Sequence, residues 1–122
     1  MTTPYAITPF INVLVRVKKK DAEPGYEVWS EPSALKVLQR DTVINYQIVE
    51  TYGEDIVFSG LQVTPPDLNQ ISAPAISPSG KLLTVSDANT SCCNLSLFLE
   101  FTNLSTKEVF SHDPQVQNET SD

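Results

Sequence analysis

The sequence predicts an all-β fold: a two-sheet antiparallel β-sandwich of immunoglobulin-like architecture, with about seven or eight strands. Three observations carry this. Apolar residues alternate with polar ones in run after run, as along Leu95, Leu97, Leu99 and Phe101. Turn residues punctuate the chain every ~8–12 residues. No stretch long enough for a helix keeps apolar residues at helical spacing without Pro, Gly or β-branched clusters intervening. Strands this amphipathic must cover their apolar faces with a second sheet. A jelly roll or small barrel is the alternative closure.

The elements follow in order. Phe10 to Lys18 sets Ile11, Val13, Val15 and Val17 on one face, with Asn12 and Arg16 on the other. Lys18-Lys19-Lys20 leads into Ala22-Glu23-Pro24-Gly25, a turn signature in which Pro presets one φ and Gly accepts a positive one. Tyr26 to Trp29 is the return strand. Ser33 to Arg40, after Pro32, is either a turn of helix or a short strand. Thr42 to Thr51 alternates Ile44, Tyr46 and Ile48 against Val43, Asn45, Gln47 and Val49, and Tyr52-Gly53-Glu54-Asp55 turns the chain. Ile56 to Thr64 is a strand with a bulge at Ser59-Gly60. Pro65 to Gly80, with four prolines, is a long connection in which Ile71 and Ile76 can make short edge pairings. Lys81 to Asp87, Asn94 to Thr102 and Glu108 to Asn118 complete the sheets. Residues 1–118 form a single domain, and 119–122 a frayed acidic tail.

Composition excludes several functions. Net charge is −7, with net −2 over residues 1–61 (six basic, eight acidic) and −5 over residues 62–122 (two basic, seven acidic). Such a surface repels a phosphate backbone, so no nucleic-acid partner is expected. No apolar stretch approaches the ~20 residues of a membrane span, and Met1-Thr2-Thr3-Pro4-Tyr5 is not the start of a secretory signal, so the expected compartment is cytoplasmic. Cys92 and Cys93 are adjacent, a poor geometry for a disulfide, and read as two reduced thiols.

Chemistry is sparse. His112 is the sole histidine, and Ser111-His112-Asp113 cannot form a triad from neighbours that diverge along an extended chain. A Cys92/Cys93–His112 nucleophile is the alternative to a surface or turn histidine, which is the expected role of His112. Asp87 and Asn89 have the D-x-N spacing of a calcium loop without its glycine or closing glutamate, and an Asx-turn explains both, though they remain a possible ligand turn. No phosphate-binding, dinucleotide or zinc motif is present, so no catalytic residue, metal ligand or cofactor is assigned. Four N-x-[ST] sequons, at Asn89, Asn94, Asn103 and Asn118, are expected to go unmodified without a secretory signal. Trp29, Tyr26, Tyr46, Tyr52 and Phe98 could line a cleft, although aromatics at strand spacing usually belong to the core. Phe98 lies on the face opposite Leu97 and Leu99, which marks a second covered face or a possible interface.

The closing stretch carries a resemblance. Thr84-Val85-Ser86-Asp87-Ala88-Asn89, an alternating strand, and Asp113-Pro114-Gln115-Val116-Gln117-Asn118 resemble the DP-EP family of small bacterial proteins. More loosely, they resemble inclusion-body proteins of the AidA/PixA type. The likeness spans residues 56–118, and either Glu23-Pro24 or Glu31-Pro32 could supply the Glu-Pro element. It implies a bacterial, soluble β-sandwich with no assigned activity, and it transfers no catalytic residue. Physically, Asp113-Pro114 reads as a structural motif that ends one strand and redirects the next.

The expected function is a non-enzymatic interaction or self-assembly module, pairing through edge strands as a homo-oligomer or with an unknown protein partner. The alternative is a small-ligand or Ca2+/carbohydrate-binding domain built on the Asp87/Asn89 turn.

Overall fold

Residues 8–119 are described by a computed structural model; the expectations for Met1 to Tyr5 and for Thr120 to Asp122 lie outside the described residues. Ten strands run in order: β1 (Phe10–Lys19), β2 (Tyr26–Glu31), β3 (Ala34–Val37), β4 (Thr42–Glu50), β5 (Ile56–Thr64), β6 (Ala75–Ile76), β7 (Leu82–Asp87), β8 (Cys93–Asn103), β9 (Val109–His112) and β10 (Gln115–Asn118). The only helical turn among the described residues is a 3-10 turn at Pro66–Leu68, inside the Pro-rich connection. None of the described helices is long and apolar enough to cross a membrane.

One sheet has the order β2-β1-β4-β7-β6; the other has β3-β10-β8-β5, with β9 also paired to β8. Their inner faces share one apolar core that draws on both, including Val13, Val15, Ile44, Tyr46 and Val85 from the first and Leu35, Phe58, Leu97, Phe101 and Val116 from the second. The alternation that announces the strands is therefore the alternation that buries them: β8 hides Leu95, Leu97, Leu99 and Phe101. Packing such a row removes several hundred Å² of apolar surface, at ~25 cal/mol per Å².

The expectation of antiparallel sheets needs correction, because both sheets are mixed. β1 pairs parallel with β4, and β3 parallel with β10. A parallel neighbour needs a crossover rather than a tight hairpin, and the chain supplies one. After β2 on the edge of the first sheet, the cis peptide Glu31-Pro32 and Ser33 carry it to β3 on the edge of the second. The Ser33–Arg40 segment thus resolves as a strand. Its inward residues, Leu35 and Val37, are buried and its outward ones exposed.

Several local expectations hold. The lysine run ends a hairpin closed by Lys20 N–H to the Gly25 carbonyl at 3.0 Å. The β5 bulge falls between Phe58 and Gly60, where the register against β8 shifts. Ile71 bridges to Asp87, and Ile76 pairs with Leu83. The frayed tail expected from residue 119 needs correction at its first residue: Glu119 is held by its N–H to the Val37 carbonyl at 2.8 Å and by an ion pair with Lys36 at 3.5 Å.

Candidate functional site

Asp113-Pro114 falls between two strands, as expected: β9 ends at His112 and β10 starts at Gln115. β9 pairs Leu99 with His112 and β10 pairs Ser96 with Gln115, so one register runs unbroken through Asp113-Pro114. Leu97 N–H still donates to the Pro114 carbonyl at 3.2 Å. Pro114 is buried in phase with Val116 and Asn118, and Asp113 is exposed. The proline removes a donor and interrupts the strand, while the register against β8 is kept. Phe98 falls opposite Asp113 in this register, half-buried on the outer face.

The parallel β3·β10 ladder begins with Ala34 beside Gln115. Glu31-Pro32 lies just ahead of β3, and Asp113-Pro114 just ahead of β10. Glu23-Pro24 lies instead in the β1–β2 hairpin. Just before the junction, His112 Nε2 comes within 3.4 Å of Ser30 Oγ, across the gap between the sheets. Burial holds the His112 imidazole below its ordinary value, with Asp113 pulling the other way.

A groove opens beside this junction, about 450 Å³ in volume, lined by Leu14, Arg16, Trp29, Ser30, Glu31, Ser33 and Tyr52. Strand alternation forms it: Val13, Val15 and Val17 go inward, which turns Leu14 and Arg16 outward beside Glu31 and Trp29 of β2. Trp29 is 45% exposed and Tyr52 53% exposed. Neither Arg16 nor Glu31 has an ion-pair partner among the described residues.

The other expected aromatics behave differently. Tyr46 is in the core, and Tyr26 stacks on Phe110 at 4.0 Å. Cys92 is exposed and Cys93 half-buried, with no disulfide between them. Cys93 pairs with Asn118, whereas His112 pairs with Leu99. Six residues of strand separate these positions, about 20 Å at ~3.3 Å per residue, so no Cys–His pair is assembled.

Asp87 and Asn89 are buried rather than exposed at a surface turn. The Asx-turn is present: Asn89 N–H donates to Asp87 Oδ1 at 3.0 Å. Asn118 joins them, its Nδ2 donating to the same oxygen at 2.8 Å and so tying β10 of one sheet to β7 of the other. Asn89 Nδ2 faces the carbonyls of Val37, Gln39 and Glu119 at 3.3, 3.3 and 2.9 Å. Burial pushes the Asp87 carboxyl up, against the opposing pull of its two hydrogen bonds. At the far end of the sandwich, Asn103 is equally buried but fully engaged: it donates to Tyr26 Oη and Glu54 Oε1 and accepts from the N–H groups of Ser105 and Thr106. Three of the four sequon asparagines are thus interior hydrogen-bonding groups.

From the sequence, Asn118 stood out only as a sequon and as the end of the closing motif, and Trp29 and Tyr52 only among five aromatics that could line a cleft. The alternating pattern does contain Asn118, since it shares the inward phase of Val116; the groove lies on the expected β1–β2 hairpin, but local pattern does not bring Ser33 and Tyr52 to it.

The DP-EP family model matches residues 9–120. The chain belongs to the DP-EP family. The match covers Asp113-Pro114 and both Glu-Pro dipeptides, Glu23-Pro24 and Glu31-Pro32. Among solved structures it is similar to the inclusion body protein PixA from Burkholderia cenocepacia J2315, with 9% identity, a TM-score of 0.48 and coverage of 99% of each chain. Among curated proteins, none matches this DP-EP chain.

Proposed function

We propose that this chain is a non-enzymatic self-assembly module, in which two copies meet groove to groove over Trp29 and Tyr52. The observation that carries the proposal is the pairing of exposed aromatic surface with one cation and one anion, Arg16 and Glu31, that have no ion-pair partner within the described chain. A two-fold contact places the same patch on both sides, so residue i meets j and j meets i. Arg16 of one copy then faces Glu31 of the other twice over, around a central Trp of the kind that dominates interface energetics. The separation of His112 from the cysteines supports the non-enzymatic part.

Light scattering and sedimentation from micromolar to millimolar protein test this. Reversing either charge, Arg16→Glu or Glu31→Arg, should weaken association, and combining both should restore it. A monomer at every concentration, or a double reversal no better than the singles, refutes the two-fold contact.

A further inference from the structure

We infer that the buried oxygen cluster of Asp87, Asn89 and Asn118, between the two sheets, binds a single hard cation. The inference is independent of the groove and of self-assembly.

The cluster holds acceptors that lack donors. Asp87 Oδ1 takes both available hydrogen bonds, and Asp87 Oδ2 has none. Asn118 is held by its donation to Asp87, and the two amide protons of Asn89 are shared among three carbonyls. Asn89 Oδ1 and Asn118 Oδ1 also have no partner, and the three side chains are 0%, 0% and 1% exposed. The Tyr46 hydroxyl, again without a partner, feels the Asp87 charge from β4. Nearly every buried polar atom in a native fold is satisfied. Asn103 shows that this fold can satisfy one completely.

Charge points the same way. A buried carboxylate without a counter-charge is strongly disfavoured, and no Lys, Arg or His pairs with Asp87 among the described residues. The ligand atoms on offer are all oxygens, which suits a hard ion and not a soft one. A single carboxylate balances an alkali ion such as Na+. Divalent Ca2+ sites ordinarily use more carboxylates, and no cluster of three acidic, His or Cys side chains exists among the described residues. An open depression of about 540 Å³, lined by Cys92, Cys93, Asn94, Gln117, Asn118 and Glu119, borders the cluster at Asn118.

Thermal melts in NaCl, KCl and CaCl2, each against choline chloride at matched ionic strength, test the site. A ligand held only by the folded state raises the midpoint with its concentration. The expected result is a saturable rise with Na+ or another hard cation over choline, lost in Asp87→Asn. Should Asp87→Asn not fold, wild-type crystals soaked in Tl+ or Ca2+ give a second measurement, with an anomalous peak expected within bonding distance of all three oxygens. Identical midpoints in every salt, or crystals showing only a water hydrogen-bonded to Asp87, overturn the inference.

Discussion

Gly80 closes the sandwich on the β5 side. Its carbonyl accepts the Phe58 N–H at 2.8 Å, joining the β6–β7 turn to the opposite sheet. Its φ is +76°, and a Cβ there would lie 2.5 Å from Val57 Cβ and 2.7 Å from Val57 Cγ1. Gly80→Ala therefore carries two costs: roughly 1–2 kcal/mol for a left-handed non-glycine residue, and roughly 1–3 kcal/mol for overpacking. Restricting the unfolded chain returns roughly 0.4–1 kcal/mol. The net loss is about 3 kcal/mol, which for a chain of this size lowers the melting midpoint by ~12 °C. Gly53 provides the control, since its φ is +83° and nothing lies within 4 Å of an added Cβ. Gly53→Ala should lose about 1 kcal/mol, the conformational cost alone. Urea unfolding of the three proteins, compared at equal m values, gives both differences. If Gly80→Ala proves no less stable than Gly53→Ala, the close approach to Val57 does not constrain this turn, and the reasoning fails.

Two titrations should appear in the pH dependence of stability. His112 is held below its ordinary value in the fold, so the unfolded chain binds its proton more readily. Stability is then full above ~6.5 and falls as pH drops through that value; His112→Gln should flatten this limb in melts scanned across pH. Asp87 is held above its ordinary value, so in choline buffer stability falls as pH rises from ~3.9 toward its folded value, and Asp87→Asn should remove that slope. Because the register continues through Pro114, Pro114→Val should keep the sheet intact. It regains a hydrogen bond of ~0.5–1.5 kcal/mol and loses ~0.4–1 kcal/mol of unfolded-chain restriction, a net change under about 1 kcal/mol by urea unfolding. Loss of the β9 or β10 amide protection in that variant would show that the proline positions the strand after all.

The strands were legible because burial and alternation are the same fact seen twice. Val13, Val15 and Val17 alternate in the sequence and are all in the core. Strand direction was not legible, because a period of two says which face is covered and nothing about which neighbour covers it. Hence the parallel pairs β1·β4 and β3·β10 went unforeseen. Ser33–Arg40 was ambiguous because eight residues are too few to separate the two periods. The Asp87 cluster was half legible. Asp87, Asn103 and Asn118 each continue an inward row, after Val85, Phe101 and Val116 respectively. A polar residue in the inward phase at the end of such a row is the signal of a buried polar group, but whether its partners converge is decided by strand pairing.

The place of β10 in its sheet has a consequence for synthesis. It lies between β3 and β8, so residues 34–37 find their partner only in residues 115–118. A chain still emerging from a ribosome can assemble β1, β2, β4 and β7, but β3 must wait with its edge open until β10 arrives. A fragment cut ahead of Gln115 would also lose Asn118 from the Asp87 cluster and would leave Leu35 and Val37 beside a vacant strand position. Such intermediates expose an unpaired edge to one another, so the order in which this chain is made sets the interval during which it is most open to pairing with the wrong copy.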